Sequence, residues 1–162
     1  MANGSVIVLW LTPAEPARTW FREKIRWLAL ERDAPIFEPH LTLGLGSVAL
    51  LQGVEAASIR LSILGVDYSE KFTKTLFVRF ELTAALAQLR VSLGIKSAGF
   101  DPHLSLLYQH LPAASKRQLA ISLSVPFASV TFAAIEAIRC PRKVVSDTDV
   151  ESWETIAFRP LA

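Results

Sequence analysis

A five-residue motif occurs twice in this chain, as Pro39-His40-Leu41-Thr42-Leu43 and as Pro102-His103-Leu104-Ser105-Leu106. Both copies read Pro-His-Leu-hydroxyl-Leu, and the patterns around them repeat in the same order. Ser5–Leu11 is a β-rich apolar run and predicts a strand; Glu15–Arg32 places Ala17, Phe21, Ile25 and Leu28 on one helical face. A strand over His40–Leu45, a short helix over Val48–Ala57 and a strand over Ser58–Asp67 complete the first half. The second half predicts a strand at Thr75–Leu82, a helix at Thr83–Leu93, a strand at His103–Tyr108, a helix at Pro112–Leu123 and a strand within Pro126–Cys140. A last strand, Trp153–Phe158, closes the chain. An internal repeat fixes architecture before any other feature does. Two similar halves predict a single pseudo-two-fold α+β domain over residues 1–162, with helices outside and a cleft between the lobes.

The motif has a physical logic. Side chains at i and i+2 of a strand point to one face, so each copy sets an imidazole beside a hydroxyl. The two leucines turn to the opposite face and anchor the strand. Relating two such strands by a pseudo-two-fold gives a pocket with two imidazoles and two hydroxyls. Histidine titrates near neutrality, so a pair can supply both base and acid to phosphodiester hydrolysis. Thr42 and Ser105 can donate hydrogen bonds to phosphoryl oxygens as negative charge develops there. This chemistry demands neither a metal nor a cofactor. Of three histidines in the chain, His40, His103 and His110, two occupy equivalent places in the motifs.

Composition bounds the remaining possibilities. A net charge of +2 and a pI near 8.9 suit a phosphate-bearing small ligand and are too weak for wrapping around duplex DNA. Cys140 is the single cysteine, so no intrachain disulfide and no cysteine-based metal site can form, and a reducing, cytoplasmic setting is expected. No apolar run is long enough to cross a membrane as a helix. The apolar stretch Met1–Leu11 lacks a preceding basic region and reads as a first strand, not a signal peptide. Nothing in the pattern calls for an obligate assembly, so a monomer is expected.

These residues resemble the two-histidine phosphoesterase superfamily, marked by two His-x-Thr/Ser motifs. Within it the chain is most similar to the cyclic phosphodiesterase family. Leu9-Trp10, both histidine motifs with Leu107-Tyr108, and the tail Val150-Glu151-Ser152-Trp153-Glu154-Thr155 carry the resemblance, which runs from about Ser5 to Phe158. It implies a bilobal fold with antiparallel sheets lining an open cleft. It also implies hydrolysis of nucleoside 2′,3′-cyclic phosphates to 2′-phosphates, and action on ADP-ribose 1″,2″-cyclic phosphate. On the same grounds His103 would activate water and His40 would protonate the leaving oxygen. Thr42 and Ser105 would hold the phosphate, and Tyr108 would contact substrate. The chain departs from plant members in having one cysteine and a compact turn between Asp67 and Thr75, so cysteine-based redox control is not expected and substrate preference is open.

Other residues divide between packing and function. Strand alternation alone points Tyr108 away from the histidines, and a bulge or strand end is needed to bring it into the cleft. Trp10 is a core aromatic or a platform for a base or ribose. Thr73 and Lys74 sit where they could border the cleft. His110 reads as a surface histidine, and Arg139, Arg142 and Lys143 as a solvated basic cluster. Trp153 reads as strand packing, and Cys140 as a small buried apolar residue. Three alternatives to the hydrolase stand: a 2′-5′ RNA phosphodiesterase or ligase-like enzyme acting on RNA ends, a non-catalytic nucleotide-binding module, and a histidine metal site. The last lacks motif-linked carboxylates or thiolates.

Overall fold

The computed structural model describes residues 4–162; the first three residues of the expected N-terminal strand lie outside them. The elements in chain order are β1 (Ser5–Pro13), α1 (Ala17–Arg32), β2 (Leu41–Leu45), α2 (Val48–Gly53), β3 (Ile59–Tyr68), β4 (Leu76–Phe80), α3 (Ala84–Ser92), β5 (His103–Leu107), α4 (Ala113–Ser122), β6 (Ser129–Pro141), α5 (Asp147–Glu151) and β7 (Glu154–Pro160). A single 3₁₀ turn, Phe72–Lys74, forms the compact connection into β4. The twofold run of strand–helix–strand–helix–strand expected from the repeat is present, followed by α5 and β7.

The halves interlock. All seven strands form one antiparallel sheet in the order β1-β2-β5-β4-β3-β6-β7, and β1 also pairs with β6. Six strands therefore close into a ring. β3, the last strand of the first half, pairs with β4 of the second, while β6 pairs with β1. The ring is sewn together where β3 meets β6, from Ile59↔Phe132 to Ser62↔Ser129, and where β2 meets β5 at Leu41↔Leu104. Leu41 and Leu104 are equivalent residues of the two motifs, so the pseudo-two-fold axis passes between them and puts His40 and His103 on either side.

Helix and strand periodicities explain the packing. α1 buries Ala17, Phe21, Ile25 and Leu28, the stripe its spacing predicts. Full burial of a side chain such as Phe21 or Ile25 contributes about 1.5–3 kcal/mol each. α3 buries Leu86 and Leu89 behind a Thr83 cap whose hydroxyl accepts from the Leu86 N–H. α1 packs on β5 and α4 on β3, which keeps helices on the outer face. Leu41, Leu43, Leu104 and Leu106 are buried in the main core, as alternation requires. A second, smaller apolar cluster, Trp10, Ile138 and Cys140 with Val6, Val8 and Trp153 against it, lies apart from that core.

Two details differ from simple alternation. Alternation places Leu45 beside Leu41 and Leu43, but it is exposed and borders the cleft. Gly44, at φ +137°, turns the strand before it reaches Leu45. A register shift in β1 between Leu9 and Trp10 marks the same place on the paired strand.

Candidate active site

The two histidines are built alike. Glu38-Pro39 precedes His40 and Asp101-Pro102 precedes His103. Proline pushes the residue before it into extended backbone. In each case the carbonyl two residues before the histidine accepts a hydrogen bond from the ring: His40 Nδ1 donates to Glu38 O at 2.8 Å, and His103 Nδ1 to Asp101 O at 2.8 Å. That bond fixes the tautomer and leaves Nε2 of both rings as the free nitrogen. Each acidic side chain is tied down by cations. Arg22 holds Glu38 at 2.5 Å; Lys74 and Arg79 hold Asp101 at 2.8 and 3.4 Å. The repeat therefore extends one residue further back than the Pro-His-Leu motif, to an acidic residue in both copies, and that signal was readable from the sequence.

An aromatic from the neighbouring strand backs each imidazole. Trp10, paired with Thr42 across β1 and β2, stacks on His40 with ring centroids 3.5 Å apart and 11° between planes. Phe77, paired with Ser105 across β4 and β5, meets His103 edge-on at 5.3 Å. The environments otherwise diverge. His40 is 4% exposed, with Phe37 and Trp153 edge-on around it. Burial drives its pKa down from 6.5 to about 3, outweighing the Glu38 carbonyl that favours protonation. His103 is only partly buried. Its pKa is also lowered, by burial first, while the Asp101 carbonyl and carboxylate oppose this and the Lys74 and Lys71 ammoniums add to it.

Both histidines border one cleft of about 310 Å³ that also includes Thr42, Ser105, Tyr108 and Trp10. All six residues singled out from the sequence therefore meet in one place. The Thr42 hydroxyl makes no hydrogen bond among the described residues. Ser105 Oγ donates to the Thr73 carbonyl at 2.7 Å, so its proton is committed in the free protein. Strand β5 ends at Leu107, which frees Tyr108 from alternation and turns it into the cleft. Its ring stacks on Phe37 at 3.9 Å, and burial pushes its pKa up. Trp10 does not offer a free ring face here: it is 6% exposed and lies flat on His40.

Several secondary expectations shift. Trp153 is not simply strand packing; it stands at the cleft wall, edge-on to Trp10, His40, Phe37 and Tyr108. Phe37, which the sequence did not single out, completes that aromatic cage from the loop before β2. Cys140 is buried and borders the cleft, and burial pushes its thiol pKa up, which leaves it a poor nucleophile. Thr73 borders the cleft, and Lys74 holds Asp101 beside His103. Of the basic cluster, Arg142 reaches the cleft, while Arg139 pairs with Glu154. His110 is exposed beside Phe72, on a separate surface. Among the described residues no group of three or more histidine, cysteine or acidic side chains is placed to hold a metal ion, and no helix is long and apolar enough to cross a membrane.

No family model and no curated protein sequence matches the chain. Solved structures do. Escherichia coli LigT complexed with 3′-AMP superposes with a TM-score of 0.59 at 14% identity, covering 98% of both chains. TT0787 of Thermus thermophilus gives 0.61 at 16% identity, over 96% of this chain and 97% of that one. A third structure, described as a phosphoesterase, gives 0.59 at 16% identity over 98% and 99%. The chain thus has, over nearly its whole length, the α+β fold of LigT and of the structure described as a phosphoesterase.

Proposed function

We propose that this protein is a metal-independent cyclic phosphodiesterase acting on nucleoside 2′,3′-cyclic phosphates, with ADP-ribose 1″,2″-cyclic phosphate in the same substrate class. The observation that carries this reading is the pair of imidazoles, each locked by Nδ1 to a backbone carbonyl and each free at Nε2, on one cleft between Thr42 and Ser105. The LigT structures hold 3′-AMP, ATP and phosphate, which supports a nucleotide ligand for the shared fold.

The chemistry follows from the asymmetry of the two rings. One histidine must take a proton from water as it attacks phosphorus; the other must protonate the ribose oxygen as its P–O bond breaks. A ring held near pKa 3 carries no proton to give at neutral pH, so burial suits His40 to the base role. His103, partly solvated and facing Asp101, is better placed to arrive protonated and act as the acid. This is opposite to the direction implied by family resemblance. The Thr42 hydroxyl is free to donate to a non-bridging phosphoryl oxygen, and Ser105 can do so once phosphate competes with the Thr73 carbonyl. Opening the ring at O3′ leaves a 2′-phosphate and a 3′-hydroxyl.

The test is hydrolysis of adenosine 2′,3′-cyclic phosphate in the presence of EDTA, comparing wild type with His40→Ala and His103→Ala. A 2′-phosphate product formed by wild type and lost in both variants is expected. Activity that vanishes with EDTA and returns with a divalent cation, or that survives either substitution, would sink the reading. Turnover of 2′-5′-linked RNA alone would favour the RNA-end alternative.

A further inference from the structure

The cleft opens in two directions, and the two are chemically different. Beyond His40 its wall is mostly apolar, with Val6, Val8, Cys140, Val144 and Trp153, and Arg142 is the one cation that lines it among the described residues. Beyond His103 a second cavity of about 300 Å³ continues from it, sharing Thr42, Thr73 and His103 as common lining. That groove is polar and, among the described residues, carries three cations, Lys71, Lys74 and Arg90, against one carboxylate, Asp101.

Two of those cations are already engaged. Lys74 is bound to Asp101 at 2.8 Å. Arg90 donates to the Leu43 carbonyl and to Ser97, and its guanidinium lies 4.0 Å from the centre of the Phe100 ring. Lys71 forms no ion pair among the described residues, and its side chain is exposed to the groove. Its backbone is nevertheless held firmly. Lys71 N–H donates to Ser69 Oγ, and its carbonyl accepts from Lys74 N–H. Ser69 is fixed in turn by Lys116, a buried ammonium that donates to the Ser69 carbonyl at 2.9 Å. A free ammonium on a fixed backbone, in a groove that shares His103 and Thr42 with the cleft, is organised to meet a second anion.

Resting on the hydrolase reading above, we infer that the groove past His103 is a subsite for a second phosphate of the substrate, held by Lys71. In this arrangement the base packs against the mostly apolar wall and the ribose 5′ position faces the groove. The preferred substrate class is then a 2′,3′-cyclic nucleotide that carries a 5′-phosphate, alone or as the last residue of an oligonucleotide, over one that ends in a 5′-hydroxyl.

The experiment compares kcat/KM for adenosine 2′,3′-cyclic phosphate with and without a 5′-phosphate, in wild type, Lys71→Gln and Lys71→Arg. Wild type should prefer the 5′-phosphorylated compound by about five- to tenfold, the scale of one solvent-exposed charge-assisted contact. Lys71→Gln should bring that ratio close to one, and Lys71→Arg should retain it. Equal rates on both compounds in wild type, or an unchanged ratio in Lys71→Gln, would overturn the subsite while leaving the hydrolase intact. A binding arm separates the two readings further. His103→Ala should bind adenosine 2′,5′-bisphosphate more tightly than 2′-AMP, and Lys71→Gln on that background should remove the difference. Failure of wild type to hydrolyse either compound would overturn the hydrolase, and equal binding of the two products would then overturn the subsite independently.

Discussion

Trp10 lies flat against His40, 3.5 Å between ring centres and 11° from parallel, and so fixes the plane of a buried imidazole whose Nδ1 is already tied to the Glu38 carbonyl. Two restraints, one on the ring face and one on its edge, leave Nε2 a single direction in the cleft.

Trp10→Phe should therefore act on catalysis more than on binding. A smaller ring leaves space beside His40 and costs stability on the order of 1–3 kcal/mol. It also lets the imidazole tilt, so kcat should fall roughly tenfold while KM changes little, since misorientation of a reacting group is felt in the transition state. Water entering beside the ring should raise the His40 pKa from its depressed value. Steady-state kinetics with an NMR titration of the His40 ring protons checks both effects. An unchanged kcat would show that Trp10 only fills space.

The pH profile of kcat/KM reports the free enzyme and should reflect the two depressed histidines. If one ring must be neutral and the other protonated, the competent form exists only between their two pKa values. His40 sets the acidic edge near 3, and His103, lowered from 6.5, sets the basic edge. The optimum of kcat/KM should thus lie below pH 6.5 and fall as pH rises. In Lys74→Gln the basic limb should move up: an ammonium that disfavours protonated His103 is gone, and the Asp101 carboxylate it neutralised is released. A basic limb that stays in place or moves down in that variant would exclude His103 as the proton donor.

The motif repeat made the site legible because period-two alternation is a local property: His40 with Thr42, and His103 with Ser105, share a face wherever their strands go. The repeat also gave the order of elements, and the apolar stripe gave the packed face of α1. What alternation could not give depends on where strands end and which strands meet. Tyr108 enters the cleft only because β5 stops at Leu107, and Leu45 borders it only because Gly44 turns β2. Phe37 and Trp153 reach His40 from the loop before β2 and from the residue just before β7, segments far apart in sequence with no shared pattern. The exchange that pairs β3 with β4 and β6 with β1 is likewise a long-range fact. Glu38 and Asp101 are a different case, for their carbonyls and charges continue the repeat and lay within reach of the sequence.

Thr42 and Ser105 are equivalent by the repeat but should respond differently to losing the hydroxyl. Thr42 makes no protein hydrogen bond among the described residues, so Thr42→Val should leave stability within ~0.5 kcal/mol and lower kcat/KM by roughly 10²-fold, the scale of one lost transition-state donor. Ser105→Ala strands the Thr73 carbonyl, at a cost of about 1–3 kcal/mol, in addition to a similar loss of activity. Urea unfolding alongside kinetics distinguishes the two. Equal destabilisation by both substitutions would mean that Thr42 carries a structural bond as well.

Burial of neutral His40 should make the protein acid-sensitive well above the range in which carboxylates titrate. The unfolded chain takes up a proton at His40 near pH 6.5, whereas the folded protein resists it until about pH 3. Between those values the unfolded state binds more protons, so stability is complete above pH 6.5 and is lost as pH falls. By pH 5 the loss from this residue is on the order of 2 kcal/mol, set by the distance below 6.5 and not by the folded value. His103, lowered in the same direction, adds to it. Asp101 and Asp149 are held below their usual carboxylate range, so their contributions disappear at still lower pH. Glu136 runs the other way, because burial raises its pKa and favours the folded state as it protonates. Urea unfolding of wild type and His40→Gln at pH 7.5 and pH 5 cancels these shared terms. The variant should lose less stability than wild type over that interval by about the His40 contribution, and equal losses would show that His40 takes up its proton without leaving the folded site.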